Sequence, residues 1–172
     1  MIMPRGQPLL LPVNPGFIAV TLLLALMCNL LPLGRGVWVP DMLLLVLAIW
    51  GVREPQRVGM GWAFVLGLCM DVHQASLLGQ HAIVYALVVF GVGLLRRRMV
   101  WLNLLEQAVQ MLPLFIAADV LQLLMRMLMR GGFPGWGALT PGLWQALLWP
   151  LLGWLLLLPQ RQPLASDDDR PL

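Results

Sequence analysis

Charge is the scarcest commodity in this chain of 172 residues: Asp, Glu, Lys and Arg together make up 11% of it, against about 25% in soluble globular domains. Lysine is absent, so all eleven basic residues are arginine. Only two cysteines occur, Cys28 and Cys69, and both fall inside apolar runs, which argues against a structural disulfide. There is no glycine-rich phosphate loop, nucleotide-binding motif or transport signature. No polar stretch is long enough for a sizeable soluble domain. The remainder is apolar, 60% of the residues, with a mean hydropathy of +0.83. Those residues come in long blocks, the pattern of helices in lipid.

The blocks predict an all-α, polytopic membrane protein with about six transmembrane helices. The spans fall at about 15–31, 39–52, 58–72, 77–95, 104–129 and 143–158, in a single domain over 1–160. The polar, Pro-containing end, 161–172, reads as a disordered cytoplasmic tail. LALMC resembles a lipoprotein box, but Met27 stands where a small residue is needed before Cys28, so the first span is expected to stay uncleaved. Span 2 is short for a hydrocarbon core. It must begin nearer Val37, thin the bilayer or lean on neighbours. Trp38 and Trp50 near its ends suggest interfacial anchors. Pro113 and Pro150 are expected to kink spans 5 and 6.

Arginine sorts the connections. Arg5, Arg53, Arg57, Arg96, Arg97, Arg98, Arg161 and Arg170 fall on one side of a six-span chain, and Arg35, Arg126 and Arg130 on the other. That asymmetry puts both termini in the cytoplasm and makes the net charge of +3 a topology signal rather than a nucleic-acid footprint.

Among candidate functional residues Asp71 stands out. On a helix it shares a face with Gly67, Phe64 and Met60. It reads as a partner contact or polar site, or as a capping or snorkelling group at the membrane interface. Cys69, Asp71, His73 and His81 invite a metal reading, but steps of two residues scatter ligands around a helix axis, and no metal is assigned. Ser76, His81 and Asp71 have the chemistry of a triad without a nucleophile motif around Ser76. Asp119, Gln122, Arg126 and Arg130 form a polar stripe on span 5 that either pairs internally or meets a ligand or helix. Gly59, Gly61, Gly67, Gly79, Gly91 and Gly93 permit close helix contact. Trp62, Trp144, Trp149 and Trp154 read as anchors or packing groups, and no cofactor is expected.

The stretch from Pro40 to Tyr85 has a distinctive order: a proline-led span, the basic turn Arg53-Glu54-Pro55-Gln56-Arg57, Gly67 with Asp71 at a span end, then Leu78-Gly79 and Tyr85. This order resembles the MreD family of rod shape-determining inner-membrane proteins. The resemblance implies a fold similar to the substrate-binding subunits of energy-coupling-factor transporters. It also implies a non-catalytic scaffold of the cell-wall elongation machinery in the bacterial inner membrane. That scaffold would partner MreC, beside RodA, a class B penicillin-binding protein and MreB, and help position sidewall peptidoglycan synthesis. Gly67, Asp71, Gly79, Asp119, Gln122 and Arg126 are then candidates for a partner or packing face. The alternative is a vitamin-type substrate-binding subunit of an uptake transporter, which would need a pocket of convergent polar groups.

Overall fold

The computed structural model describes residues 13–31, 40–133 and 135–160. The expectations for Arg5, Arg35, Trp38 and the 161–172 tail lie outside these. The described residues form six α-helices: α1 (Pro15–Leu30), α2 (Met42–Arg53), α3 (Met60–His73), α4 (Gln80–Met99), α5 (Leu104–Arg130) and α6 (Thr140–Leu157).

Local chemistry sets the ends. Asn14 caps α1 by accepting the Gly16 N–H at 2.9 Å, with Pro15 in the first turn. Asp41 caps α2 through the Leu44 N–H at 2.9 Å, which starts that helix later than position 39. Gly79 opens α4 at φ +103°, a left-handed conformation suited to glycine, so α4 begins after position 77. It then runs on through the exposed Arg96, Arg97 and Arg98, past the expected end at 95. Arginine is a good helix former and suits the negative end of the helix dipole. Glu106 accepts the Asn103 N–H at 3.0 Å at the start of α5, and Gly131 at φ +69° closes it after Arg130. Pro113 and Pro150 both sit inside helices that continue past them.

The helices pack as antiparallel pairs, α1 with α2, α3 with α4 and α5 with α6, and α4 also packs against α2 and α5. The centre is α2, with every residue from Leu43 to Val52 buried. Twelve residues reach about 18 Å at 1.5 Å each, short of a hydrocarbon core of about 30 Å. Enclosure by neighbours is what this short helix uses. Trp50 is accordingly wholly buried, with its indole N–H on Thr21 Oγ1 at 2.9 Å, and is no interfacial anchor. α5 and the segment Trp136–Gln160 that contains α6 are long and apolar enough to cross a membrane, whereas α1, α2 and α3 are apolar but shorter. Met60, Trp62, Phe64, Val65 and Val72 of α3 are exposed. That is the surface expected of a helix whose outer face meets lipid.

Side-chain links fix which connections share an end of the bundle. Arg57 in the α2–α3 turn donates to the carbonyl of Val13, just before α1. Arg96 near the end of α4 donates to Val52 O at 2.9 Å. Gln107 of α5 donates to Met99 O at 2.9 Å and Leu102 O at 3.0 Å. The start of α1, the α2–α3 turn and the α4–α5 connection therefore lie together, and α2, α4 and α6 start at the opposite end.

Candidate functional site

The first turn of a helix leaves backbone N–H groups without intrahelical acceptors. Inside a membrane each such group costs several kcal/mol if nothing satisfies it. At the opposite end, α2, α4 and α6 each meet this need with an aspartate.

The fullest case is Asp71. It lies in the last turn of α3, fully buried, and its carboxylate faces the start of α4. Oδ2 accepts the Gly79 N–H at 2.8 Å, and Oδ1 accepts the His81 N–H at 2.8 Å. Ser76 Oγ donates to Oδ1 at 2.9 Å, and His81 Nδ1 stands 2.7 Å from the same oxygen. Gly79, the cap position of α4, has no side chain to offer, so the preceding helix supplies the acceptor. This approach needs Gly67. A Cβ there would stand 2.4 Å from Ala82 Cα and 2.6 Å from Ala82 N, distances real side chains do not adopt.

Ser76, His81 and Asp71 are thus brought together, but not as a catalytic relay. A relay needs Asp on one imidazole nitrogen and Ser on the other. Here Ser76 bonds Asp71 directly and stands 3.4 Å from Nδ1, the nitrogen that already faces the carboxylate. The four residues of the metal reading do not converge: Cys69 and His73 are exposed while Asp71 and His81 are buried. Among the described residues no group of three such side chains could hold a metal.

Asp119 does the same for α6. Its Oδ2 accepts the Gly142 N–H at 2.6 Å, and a Cβ on Gly142 would stand 2.7 Å from that oxygen and 3.0 Å from Phe115 C. Further along the stripe, Arg126 donates to Gln122 Oε1 at 3.3 Å. The side chain of Arg130 is outside the described part.

Asp41 is the residue that sequence reasoning passed over. It caps its own helix through Leu44 N, accepts Asn29 Nδ2 from α1 at 2.7 Å, and accepts the hydroxyl of the buried Tyr85 from α4. Asn29 in turn accepts the Met42 N–H at 3.1 Å. Gln145 of α6 approaches Asp41 O at 3.5 Å, and the His81 and Tyr85 rings meet edge to face with centroids 6.1 Å apart. A polar seam therefore links Asp71, His81, Tyr85 and Asp41 across the bundle. Asp followed by an apolar run is an N-cap signal, and it was there to be read.

The glycines divide in two. Gly67, Gly91 and Gly142 sit at close approaches, whereas Gly61 and Gly93 face open space, contrary to the expectation that they mediate contact. Of the tryptophans, Trp149 is buried and donates to Gln107 Oε1 at 3.3 Å. Trp62, Trp144 and Trp154 are exposed.

Comparison with known proteins decides the family. The model of rod shape-determining protein MreD matches residues 11–158, a range that holds the six helices described above and the capping residues Asp41, Asp71 and Asp119. The chain belongs to the MreD family. A curated relative, rod shape-determining protein MreD of Haemophilus influenzae, is 31% identical over 134 residues, covering 76% of this chain and 78% of the relative. No solved structure matches the chain. Membership makes this a membrane protein of a rod shape-determining family, and it accounts for the exposed apolar flanks of α3 to α6.

Proposed function

We propose that the chain is a non-catalytic scaffold of the bacterial cell-wall elongation machinery. It crosses the inner membrane six times, with both termini in the cytoplasm and the arrangement of an energy-coupling-factor substrate-binding subunit. It partners MreC and helps position sidewall peptidoglycan synthesis by RodA and a class B penicillin-binding protein along MreB filaments.

Beside family membership, one observation carries the non-catalytic part: Asp71, the most conspicuous ionisable group, is saturated by its own chain through Ser76, Gly79 and His81. A carboxylate held by five internal donors, the Ala82 N–H at 3.4 Å included, is a structural fastening rather than a group offered to a substrate. The cytoplasmic placement rests on five described arginines, Arg53, Arg57, Arg96, Arg97 and Arg98, at the end shared by the α2–α3 and α4–α5 connections, against Arg126 and Arg130 near the end of α5.

Depletion in a rod-shaped host is the decisive experiment. Cells are expected to become round or wide while septation continues. Unchanged rods with lost vitamin uptake would favour the transporter reading instead. A reporter active only in the periplasm, fused after Leu172, should stay silent, and a strong signal would reverse the orientation.

A further inference from the structure

Most arginines at the Arg-rich end have an assignment. Arg57 donates to Val13 O and lies 3.9 Å from Glu54, and Arg96 donates to Val52 O. Arg97 and Arg98 are exposed to whatever surrounds the bundle. Arg53 differs. It closes α2 half-buried and lines a narrow cleft between α2, α5 and α6, with no acceptor for its guanidinium among the described residues. The other polar groups of that cleft are committed: Trp149 donates to Gln107, and Gln107 donates to two backbone carbonyls. The rest of the wall is Ile49, Val52, Leu104, Gly153 and Leu157. An arginine against apolar walls with no counter-charge among the described residues is costly, and the guanidinium fork fits phosphate oxygens two at a time.

The cleft has room for about one water-sized group, the size of a phosphoryl oxygen. Beside it the surface is apolar and open, with Leu105 of α5 exposed 70% and Leu158 after α6 exposed 39%. Such a surface suits an acyl chain, which neither a free anion nor an acidic peptide carries.

We infer that the Arg53 cleft is a headgroup site for an anionic phospholipid, with the phosphodiester on the guanidinium and the acyl chain along α5 and α6. The inference rests on the membrane reading above. Basic pockets between helices at the cytoplasmic membrane face bind anionic headgroups by this chemistry.

The test uses the full chain, purified in a neutral detergent and incubated with phosphatidylglycerol or phosphatidylcholine of identical acyl chains. Retained lipid is read by native mass spectrometry. The protein should retain phosphatidylglycerol selectively. Arg53→Gln should weaken that binding by at least about tenfold, the loss of a charge-assisted hydrogen bond. Arg97→Gln removes the same charge from the same end and should weaken it by no more than about fivefold, as for a diffuse surface charge. Gly153→Val fills the cleft and leaves Arg53 in place, so it should also abolish selectivity. This second variant decides the matter if Arg53→Gln loses wild-type helicity. Equal losses in Arg53→Gln and Arg97→Gln, full binding by Gly153→Val, or no preference between the lipids would overturn the inference. Displacement of the lipid by millimolar inorganic phosphate or by a polyglutamate peptide would overturn it too, by reassigning the cleft to a free anion or an acidic protein segment. Flotation with phosphatidylcholine vesicles separates the two levels. A chain that does not float refutes the membrane reading, whereas one that floats without headgroup preference refutes only the lipid site.

Discussion

Replacing Asp71 tests whether its carboxylate serves structure or chemistry. Both oxygens face donors: Oδ1 takes Ser76 Oγ and both His81 groups, and Oδ2 takes Gly79 N and, at a longer 3.4 Å, Ala82 N. Asp71→Leu leaves the backbone N–H groups of Gly79 and His81 without acceptors at a buried position, together with the imidazole. Removing one partner of such a buried, ionised set costs about 3–5 kcal/mol. Asp71→Asn can keep its oxygen on the Oδ1 side, but its NH2 then opposes the Gly79 N–H. One bond is lost and two donors face each other, a cost of about 1–3 kcal/mol. For a chain of this length those figures correspond to a fall in melting temperature of roughly 10 °C for Leu and about half that for Asn. The assay is thermal unfolding of the purified protein in detergent, with membrane abundance and rescue of cell shape measured in the same strains. The capping account expects shape rescue to follow stability, with Asn intermediate. A melting temperature for Asp71→Leu within about 2 °C of the unsubstituted protein would refute it. Normal melting with lost rescue in Asp71→Asn would instead move the carboxylate to a role that needs its charge.

Gly67→Ala puts a methyl group 2.4 Å from Ala82 Cα. Because the obstacle is backbone, α3 and α4 must separate, and a cost of about 1–3 kcal/mol should appear as lower membrane abundance; unchanged abundance would dismiss the close crossing. Tyr85→Phe removes the hydroxyl that Asp41 accepts, and a loss of about 1.5–3 kcal/mol is expected in the same melting assay. A neutral result there would mean that water replaces the tyrosine. Gly93→Ala has open space around its Cβ and should raise stability by about 0.5–1 kcal/mol through its helix propensity; destabilisation would show that this face is occupied in the membrane.

The six helices of the described residues were legible because apolar blocks bounded by Pro, Gly and Arg mark helices whatever their neighbours do. Tertiary placement was less so. Trp50 read as an interfacial anchor because the aromatic-belt rule concerns tryptophans that reach the membrane surface, and α2 is enclosed along its length. For Asp71, partner contact and capping both stood open in the sequence, since the donors it meets belong to the next helix. A sharper signal was available. Gly79 opens α4 and Thr140-Pro141-Gly142 opens α6 without a side-chain cap. A membrane helix that starts uncapped must find an acceptor elsewhere, and the aspartates of the preceding helices are the obvious suppliers. Asp41 lies at a span edge rather than deep in a span, and its only mark in the sequence is the ordinary cap signature of an Asp before an apolar run. The separation of Gly67 from Gly93 was beyond the sequence, because spacing alone does not tell which glycine faces a backbone.

The bond between Asp71 and the start of α4 also bears on the order in which the chain is built. When α3 leaves the ribosome first, it carries an acidic group with no donors, and α4 later arrives with amides that lack an acceptor. In the proposed six-span topology neither segment is comfortable in lipid alone, and each cures the defect of the other. The same holds for α5 with Asp119 and the first turn of α6. Insertion is then best described as the arrival of hairpins: a truncation that ends after α3 or α5 strands a carboxylate, whereas one that ends after α4 leaves every fastening of that hairpin closed.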